Sequence, residues 1–213
     1  EILLDGENVL EMSVDERSRR GLFMAFQYPS EIPGVTNSDF MKAAVNAHRE
    51  TPVNLFSFIR ELDGAIDQLQ FNAELAHRSV NEGFSGGEKK RNEILQMKML
   101  RPDIAMLDEI DSGLDVDAMK IVADNVNQMI KDNNMALIIV SHYDRFFTMV
   151  EPQYTHVLVD GRIIAEGDGD LARLIDEKGY EWYLNSLGIE AEKKEDARPV
   201  VTLGSCAVNQ QKK

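Results

Sequence analysis

Short apolar runs alternate with amphipathic stretches between residues 103 and 160, and this alternation constrains the fold more than any other feature of the chain. The apolar runs have the length of strands, and the stretches between them have helical spacing. Strands separated by helices pair in parallel, with the helices as crossovers. The sequence therefore predicts an α/β fold with a mostly parallel sheet and flanking helices. The apolar runs are 103–108, 136–141 and 154–160, and the helical stretches are 115–130 and 144–150.

The first of these strands ends in two adjacent acids, Asp108 and Glu109. Ligands of a parallel sheet bind at the carboxyl ends of its strands, so both carboxylates are expected at a binding site. Asp108 is expected to hold Mg²⁺, directly or through water, and Glu109, pointing the other way, to polarise an attacking water. The alternative is a strand that ends in a solvated acidic turn.

A serine and two glycines stand directly before another helical pattern, in the sequence Ser85-Gly86-Gly87-Glu88. A hydroxyl and unpaired N–H groups converge there, at the positive end of the helix dipole, which suits a phosphate. The glycines would let the main chain approach the phosphate oxygens closely. Ordinary helix capping is the alternative interpretation of the same residues.

Two polar residues stand at the ends of other predicted strands. Gln27 ends the apolar run 23–26, just before Pro29, which favours a turn. His142 follows the run 136–141, where an imidazole can hydrogen-bond a terminal phosphate oxygen and help to hold a water and Glu109 in position. Their positions predict that both side chains lie at the same sheet edge as the two acids.

Together these motifs resemble those of the ABC ATPase superfamily over most of residues 20–170. The resemblance implies a P-loop NTPase-like core with an α-helical subdomain, and ATP and Mg²⁺ as cofactors, with Gln27 reaching the metal and the attacking water. It also implies a transient ATP-dependent homodimer, in which the serine-glycine surface of one copy completes the ATP site of the other and Asp115 couples the two sites. The matching segments are Ser85-Gly86-Gly87-Glu88 (signature), Leu107-Asp108-Glu109 (Walker B), Ser112-Gly113-Leu114-Asp115 (D-loop), His142 (H-loop) and Gln27 (Q-loop).

Within the superfamily, the chain is most similar to the SufC family, the ATPases of SUF iron–sulfur cluster assembly. The similarity is carried by residues 23–35 and 81–93, and by Ile110-Asp111, where most ABC ATPases have Pro-Thr or Pro-Ala. It implies SufB-like and SufD-like scaffold partners that contact the helical lobe and the Q-loop, and a cytoplasmic or plastid-stromal location. The alternatives are the nucleotide-binding subunit of an ABC transporter and a non-hydrolysing binding subunit.

A P-loop requires Gly-x-x-x-x-Gly-Lys followed by Ser or Thr, and the chain contains no Gly-Lys pair. Its opening residues, 1–6, resemble the strand and turn that follow the P-loop helix in the SufC family. We therefore expect an amino-terminal truncation that removes the P-loop segment. The full-length protein would then be an ATPase, and this fragment alone would bind ATP poorly and be inactive.

The formal net charge of −14 argues against nucleic acid or an anionic membrane as a main partner. The basic cluster 89–91 is interpreted as the solvated face of the signature helix. The single cysteine, Cys206, cannot form an intrachain disulfide and is read as an inert thiol. No apolar stretch is long enough to span a membrane, so no direct membrane insertion is expected.

The predicted organisation has four parts. Residues 1–34 form the remainder of the ATPase core with the Q-loop, and residues 35–100 form the helical subdomain that ends in the signature helix. Residues 101–188 return to the core, and residues 189–213 form a disordered tail. Local signals add a capping box at Ser13, a helix capped by Asn37 or Ser38, a helix over 54–69, and a hairpin at Asp160-Gly161.

Overall fold

The computed structural model describes residues 1–141 and 144–188. Its elements follow the alternation of strands and helices that the sequence predicts. The strands are β1 (Leu3–Leu4), β2 (Glu7–Asn8), β3 (Leu22–Ala25), β4 (Ile32–Thr36), β5 (Ser79–Val80), β6 (Ile104–Asp108), β7 (Ala136–Val140), β8 (Thr155–Val159) and β9 (Arg162–Gly167). The helices are α1 (Val14–Arg19), α2 (Asn37–Ala47), α3 (Leu55–Gln68), α4 (Gly86–Leu100), α5 (Val116–Asn133), α6 (Asp144–Val150), α7 (Gly169–Lys178) and α8 (Tyr180–Ser186).

A three-stranded parallel sheet with the order β3-β6-β7 forms the centre of the fold. Ala25 pairs with Leu107, and Asp108 pairs with Val140, so the three strands end at nearly the same level. Segments far apart in sequence therefore meet at one edge, as the sequence predicts. The α/β fold class with a parallel sheet and flanking helices is confirmed.

Helix α4 is the central helix of the structure. It packs against α2, α3, α5 and β3. Ile94, Leu95 and Met97 on this helix are completely buried, which is the environment that apolar side chains prefer. Any displacement of α4 would therefore disturb both the sheet and the neighbouring helices, because interiors packed at this density transmit strain.

Local side-chain caps begin the first four helices of the chain. Capping boxes are present at Ser13 before α1 and at Ser85 before α4, and Asn54 caps α3. The prediction for α2 is wrong, since its cap is Thr36 rather than Asn37 or Ser38. Asn37 is buried and donates its side-chain amide to the carbonyl of Leu75, which leaves the capping role to the preceding threonine.

Three antiparallel ribbons, β1–β2, β4–β5 and β8–β9, accompany the parallel sheet in the described part of the chain. The hairpin β8–β9 turns at Asp160-Gly161, as predicted, and both turn residues have positive φ, which a type I′ turn requires. The ribbon β4–β5 pairs residues around Ile32 with residues around Val80. The local sequence pattern does not predict this ribbon, because its strands are separated by α2 and α3.

The chain divides into two compact units, residues 1–173 and residues 174–213. In the second unit, the ammonium of Lys178 lies over the ring of Trp182. The predicted tail 189–213, with Cys206, lies outside the described residues, and the four-part organisation stays a prediction. No helix among the described residues combines the length and apolar character needed to cross a membrane.

Candidate active site

The carboxylate end of the site lies at the tip of β6. Asp108 is the last residue of the strand, and Glu109 follows it with a φ of 46°. The Glu109 N–H donates to the carbonyl of Val140 at 2.8 Å, so the turn is fixed to the neighbouring strand. A left-handed backbone at a residue other than glycine costs of the order of 1–3 kcal/mol and is concentrated at functional positions.

Gln27 and Glu109 meet at this edge although 82 residues separate them. The Gln27 side-chain nitrogen Nε2 donates to Glu109 Oε2 at 2.6 Å, and both side chains are half-buried. The contact follows from the parallel pairing of β3 with β6, which places the residues after both strands side by side. The amide therefore orients one carboxylate oxygen of Glu109.

The segment after Glu109 is part of the core. Ile110 is completely buried, and Asp111 is 1% exposed. Ser141 donates its hydroxyl to Asp111 Oδ2 at 2.5 Å, which ties the end of β7 to the end of β6. The other oxygen, Oδ1, is buried and has no hydrogen-bond partner among the described residues. The predicted residue His142, which follows Ser141, lies outside the described residues.

At the signature end, Ser85 caps α4. Its hydroxyl donates to Glu88 Oε2 at 2.8 Å, and the Glu88 N–H donates back to that hydroxyl at 3.3 Å. Hydrogen bonds from the Ser85 N–H and hydroxyl lower the pKa of Glu88 below its ordinary value. The capping interpretation therefore describes Ser85 in the isolated chain.

The glycines that follow Ser85 are not required by the fold itself. A Cβ atom built on Gly86 would meet no atom within 4 Å, and one built on Gly87 would lie 3.5 Å from the Leu114 side chain, an ordinary contact. Neither glycine has a positive φ. A requirement for glycine at position 86 would thus have to come from outside the described residues.

Asp115 begins α5, where its Oδ1 accepts a hydrogen bond from the Ala118 N–H at 2.8 Å. The predicted site residues therefore fall into two groups in the described part of the chain. Asp108, Glu109 and Gln27 lie at the sheet edge. The signature residues and Asp115 lie at two helix starts, which approach each other where Gly87 faces Leu114.

Sequence reasoning missed two charged residues of the site. Lys90 and Glu93 are 4% and 6% exposed, so the expectation that the basic cluster 89–91 is a solvated helix face is wrong for Lys90. Burial lowers the pKa of Lys90, against the attraction of nearby carboxylates, and burial raises the pKa of Glu93 to about 7. The available signal was spacing, because Lys90 lies on the same helical stripe as the apolar residues Ile94 and Met97.

The side chains at this edge of the sheet can bind Mg²⁺ only together with another ligand. No group of three or more metal-binding side chains occurs among the described residues. Mg²⁺ is commonly held by one or two carboxylates together with substrate phosphates and water. Asp108 and the Gln27 amide oxygen provide oxygen ligands of that kind at one edge, so the residues fit a metal ion that arrives with a nucleotide.

Comparison with known proteins identifies the family to which the chain belongs. A family model described as ABC transporter matches residues 1–112. The chain is 50% identical over 193 residues to Vegetative protein 296 of Bacillus subtilis, covering 90% of this chain and 74% of that protein. It is 46% identical over 194 residues to the probable ATP-dependent transporter ycf16 of Cyanophora paradoxa, covering 88% of this chain and 73% of that protein.

Solved structures show the same fold. The ATP-binding cassette MJ0796, in a dimeric post-hydrolysis state bound to ADP and Pi, matches with a TM-score of 0.67 at 17% identity, over 78% of this chain and 71% of that chain. An ATP-binding subunit of an ABC transporter matches with a TM-score of 0.66 at 20% identity, over 85% of this chain and 74% of that chain. The family match and the relatives at 50% and 46% identity lead to one conclusion: the chain belongs to the ABC transporter ATP-binding family, within the ABC ATPase superfamily.

Proposed function

We propose that this chain is part of the ATP-hydrolysing subunit of a SUF-type iron–sulfur cluster assembly complex, and that the full-length protein carries out the hydrolysis. The observation that carries the proposal is the Gln27–Glu109 hydrogen bond at the edge of the parallel sheet. A carboxylate held by an amide at this edge is oriented to act as a general base. The finer assignment to the SUF system rests on the resemblance of the motifs to the SufC family.

In the proposed mechanism, Glu109 accepts the proton of the attacking water. Gln27 holds one oxygen of Glu109 in place and so orients the carboxylate for this role. When bound, Mg²⁺ would neutralise charge on the phosphates, with Asp108 and Gln27 as its protein ligands. Ser85, Gly86 and Gly87 of a second copy would close the site and exclude water.

The open space at Gly86 supports a shared site. Glycine costs up to about 1 kcal/mol relative to alanine in a helix interior and less at a helix start, and no contact within the described chain compensates for that cost at Gly86. A nucleotide held by a second copy would need that space. The transient ATP-dependent homodimer supplies such a partner.

The partner assignment has support from two surface features and one core feature. Tyr28, beside Gln27, is 83% exposed, and Phe56 on α3 is 81% exposed. Large exposed aromatic side chains are typical of protein interfaces. The Ile110-Asp111 pair, which separates the SufC family from most ABC ATPases, is buried rather than a surface variation. We propose SufB-like and SufD-like scaffolds as the partners.

A second candidate is the ATP-binding subunit of a membrane transporter. It is favoured by the names of relatives, since a Streptococcus pyogenes protein described as a probable ABC transporter ATP-binding protein is 51% identical over 192 residues. Such a subunit would use the same Gln27–Glu109 pair. It would differ only in docking to membrane-embedded partners.

The experiment that separates these candidates is affinity purification from cells that express a P-loop form. We define the P-loop form as this chain joined at its amino terminus to a strand and P-loop of an ABC ATPase. We expect ATP hydrolysis and recovery of SufB-like and SufD-like proteins, with recovery lost in Tyr28→Asp and kept in the control Tyr154→Asp, at another exposed tyrosine. Recovery of membrane permeases alone would favour the transporter, and binding without hydrolysis would favour a non-hydrolysing subunit.

A further inference from the structure

The polar residues on the buried side of α4 converge on one short segment. Lys90, Asn92 and Glu93 are all buried. Burying charged and amide groups is costly unless each is paired, so their partners reveal what the helix is holding. The partner of Lys90 and Glu93 lies in residues 26–31, which we call the Gln27 segment, and Asn92 binds Asn37 and Asn81, of which Asn81 binds that segment in turn.

The start of the Gln27 segment is held through its main chain. The Phe26 N–H donates to Glu93 Oε2 at 3.2 Å, and Lys90 Nζ donates to the Phe26 carbonyl at 3.1 Å. The Phe26 side chain is 54% exposed and so does not anchor this residue. Glu93 and Lys90, which lie one helical turn apart, therefore bind the N–H and the carbonyl of the same residue, Phe26.

The end of the Gln27 segment is held by the same helix. Lys89 forms an ion pair with Glu31 at 2.7 Å. Asn92 donates to the side-chain oxygen of Asn81 at 2.9 Å, and Asn81 donates to the carbonyl of Ser30 at 2.9 Å. The segment is thus fixed at both ends from α4, and Gln27 lies between the two attachments.

We propose that Glu93 and Lys90 are positioning residues, which hold the Phe26 main chain so that the Gln27 amide meets Glu109. The proposal rests on the proposed function in one respect, because it takes Gln27 and Glu109 to serve ATP hydrolysis. It assigns a second role to α4. The helix that presents Ser85 and Gly86 at its start also sets the geometry of the carboxylate end.

The chemistry of the contact suits this role. A carboxyl group accepts an N–H hydrogen bond in both its neutral and its ionised form, so the Phe26 contact persists as Glu93 titrates. The nearby charged groups are Lys90 on the same helix and, around Lys90, the carboxylates Asp108, Glu109 and Asp111. Lys90 is therefore a poor probe, since its removal would act on Glu109 directly.

The test is made on Glu93, with matched variants. Glu93→Met keeps the approximate size and removes the acceptor, Glu93→Gln keeps an acceptor, and Glu93→Asp withdraws it by about one bond length, roughly 1.5 Å. Gln96→Met is the control, because Gln96 is buried one turn further along α4 and makes no hydrogen bond to the Gln27 segment among the described residues.

The first readout needs no hydrolysis. In proton–nitrogen NMR spectra of the isotope-labelled 213-residue chain, we expect Glu93→Met to shift the Phe26 amide and the Gln27 side-chain amide signals. Glu93→Gln should restore them, and Gln96→Met should leave them unchanged. Unshifted Gln27 signals in a folded Glu93→Met chain would overturn the proposal. Should that variant not fold, Glu93→Asp decides by the same signals.

The second readout is turnover by the P-loop form. We expect Glu93→Met to lower kcat about ten-fold with KM for ATP within about two-fold, since a misplaced amide affects the chemical step more than nucleotide binding. An equal loss in Gln96→Met would indicate a structural effect and overturn the positioning role. Absence of hydrolysis in the unmodified P-loop form would refute the proposed function, while the Gln27 NMR signals would still decide the positioning.

Discussion

The two ends of the candidate site are built in opposite ways. At the carboxylate end, Glu109 and Asp111 are held by partners from other segments, Gln27 and Ser141. At the signature end, among the described residues, Ser85 bonds only within its own helix start, and Gly86 faces open space. The fold thus fixes the carboxylate end, whereas it leaves the signature end open to another molecule. The difference indicates which half of the site a single chain completes and which half it offers to a second molecule.

The difference between the two ends predicts the largest effect for a substitution of Glu109. In the P-loop form, Glu109→Gln should lower turnover by about 10²–10⁴-fold, because the amide keeps the size of the side chain but cannot act as a base. Nucleotide binding should survive, so the variant should accumulate as a nucleotide-bound dimer in gel filtration. Steady-state hydrolysis measures the first effect. Glu74→Gln, at an exposed glutamate, is the control, and unchanged turnover in Glu109→Gln would remove Glu109 from the role of base.

The next prediction contrasts two carboxylates of α4. Glu93 has its pKa raised to about 7 by burial, so the folded chain binds more protons than the unfolded chain between pH 4.5 and 7. The free energy of unfolding should therefore fall as pH rises through this window. Relative to Glu93→Gln, the unmodified chain should lose about 3 kcal/mol between pH 4.5 and 8, measured by urea unfolding.

Glu88 at the signature end should show the opposite sign. Its pKa is lowered by hydrogen bonds from Ser85, so its contribution to stability is present above its ordinary pKa of 4.5 and is lost as pH falls through the lowered value. Glu88→Gln should thus be less stable than the unmodified chain at neutral pH and similar to it in acid. The same direction of pH dependence in both variants would contradict the distinction between the two ends.

The smallest expected effect on stability is at Gly86. Gly86→Ala should leave the free energy of unfolding within about 1 kcal/mol of the unmodified chain, because the added methyl meets no atom and alanine favours a helix. Turnover of the P-loop form should nevertheless fall about ten-fold, since the methyl would enter the space needed by the second copy's nucleotide. Full activity in this variant would show that the open surface is not a phosphate cradle.

The features predicted from sequence are those that local chemistry decides. The capping box at Ser13 depends on residues three positions apart, and the strand that ends in Asp108 depends on a contiguous apolar run. The β4–β5 ribbon and the burial of Glu93 could not be predicted in this way, and the spacing that places Lys90 on the apolar stripe of α4 did not identify the group that pairs with its charge. The partners of β4, Lys90 and Glu93 lie tens of residues away in sequence. A charged residue on a helix is predicted to be exposed unless the carbonyl or N–H that pairs with it is known.

Phe26 is held through its main chain, so the Phe26 side chain has no role in the catalytic geometry. Every amino acid except proline carries the N–H and carbonyl that Glu93 and Lys90 bind, so residue 26 is free to vary in size, polarity and charge. Substitution of residue 26 would therefore allow a different partner protein to bind beside Gln27 while the catalytic residues stay the same. It also offers an attachment point for a fluorescent dye that would report on each catalytic cycle.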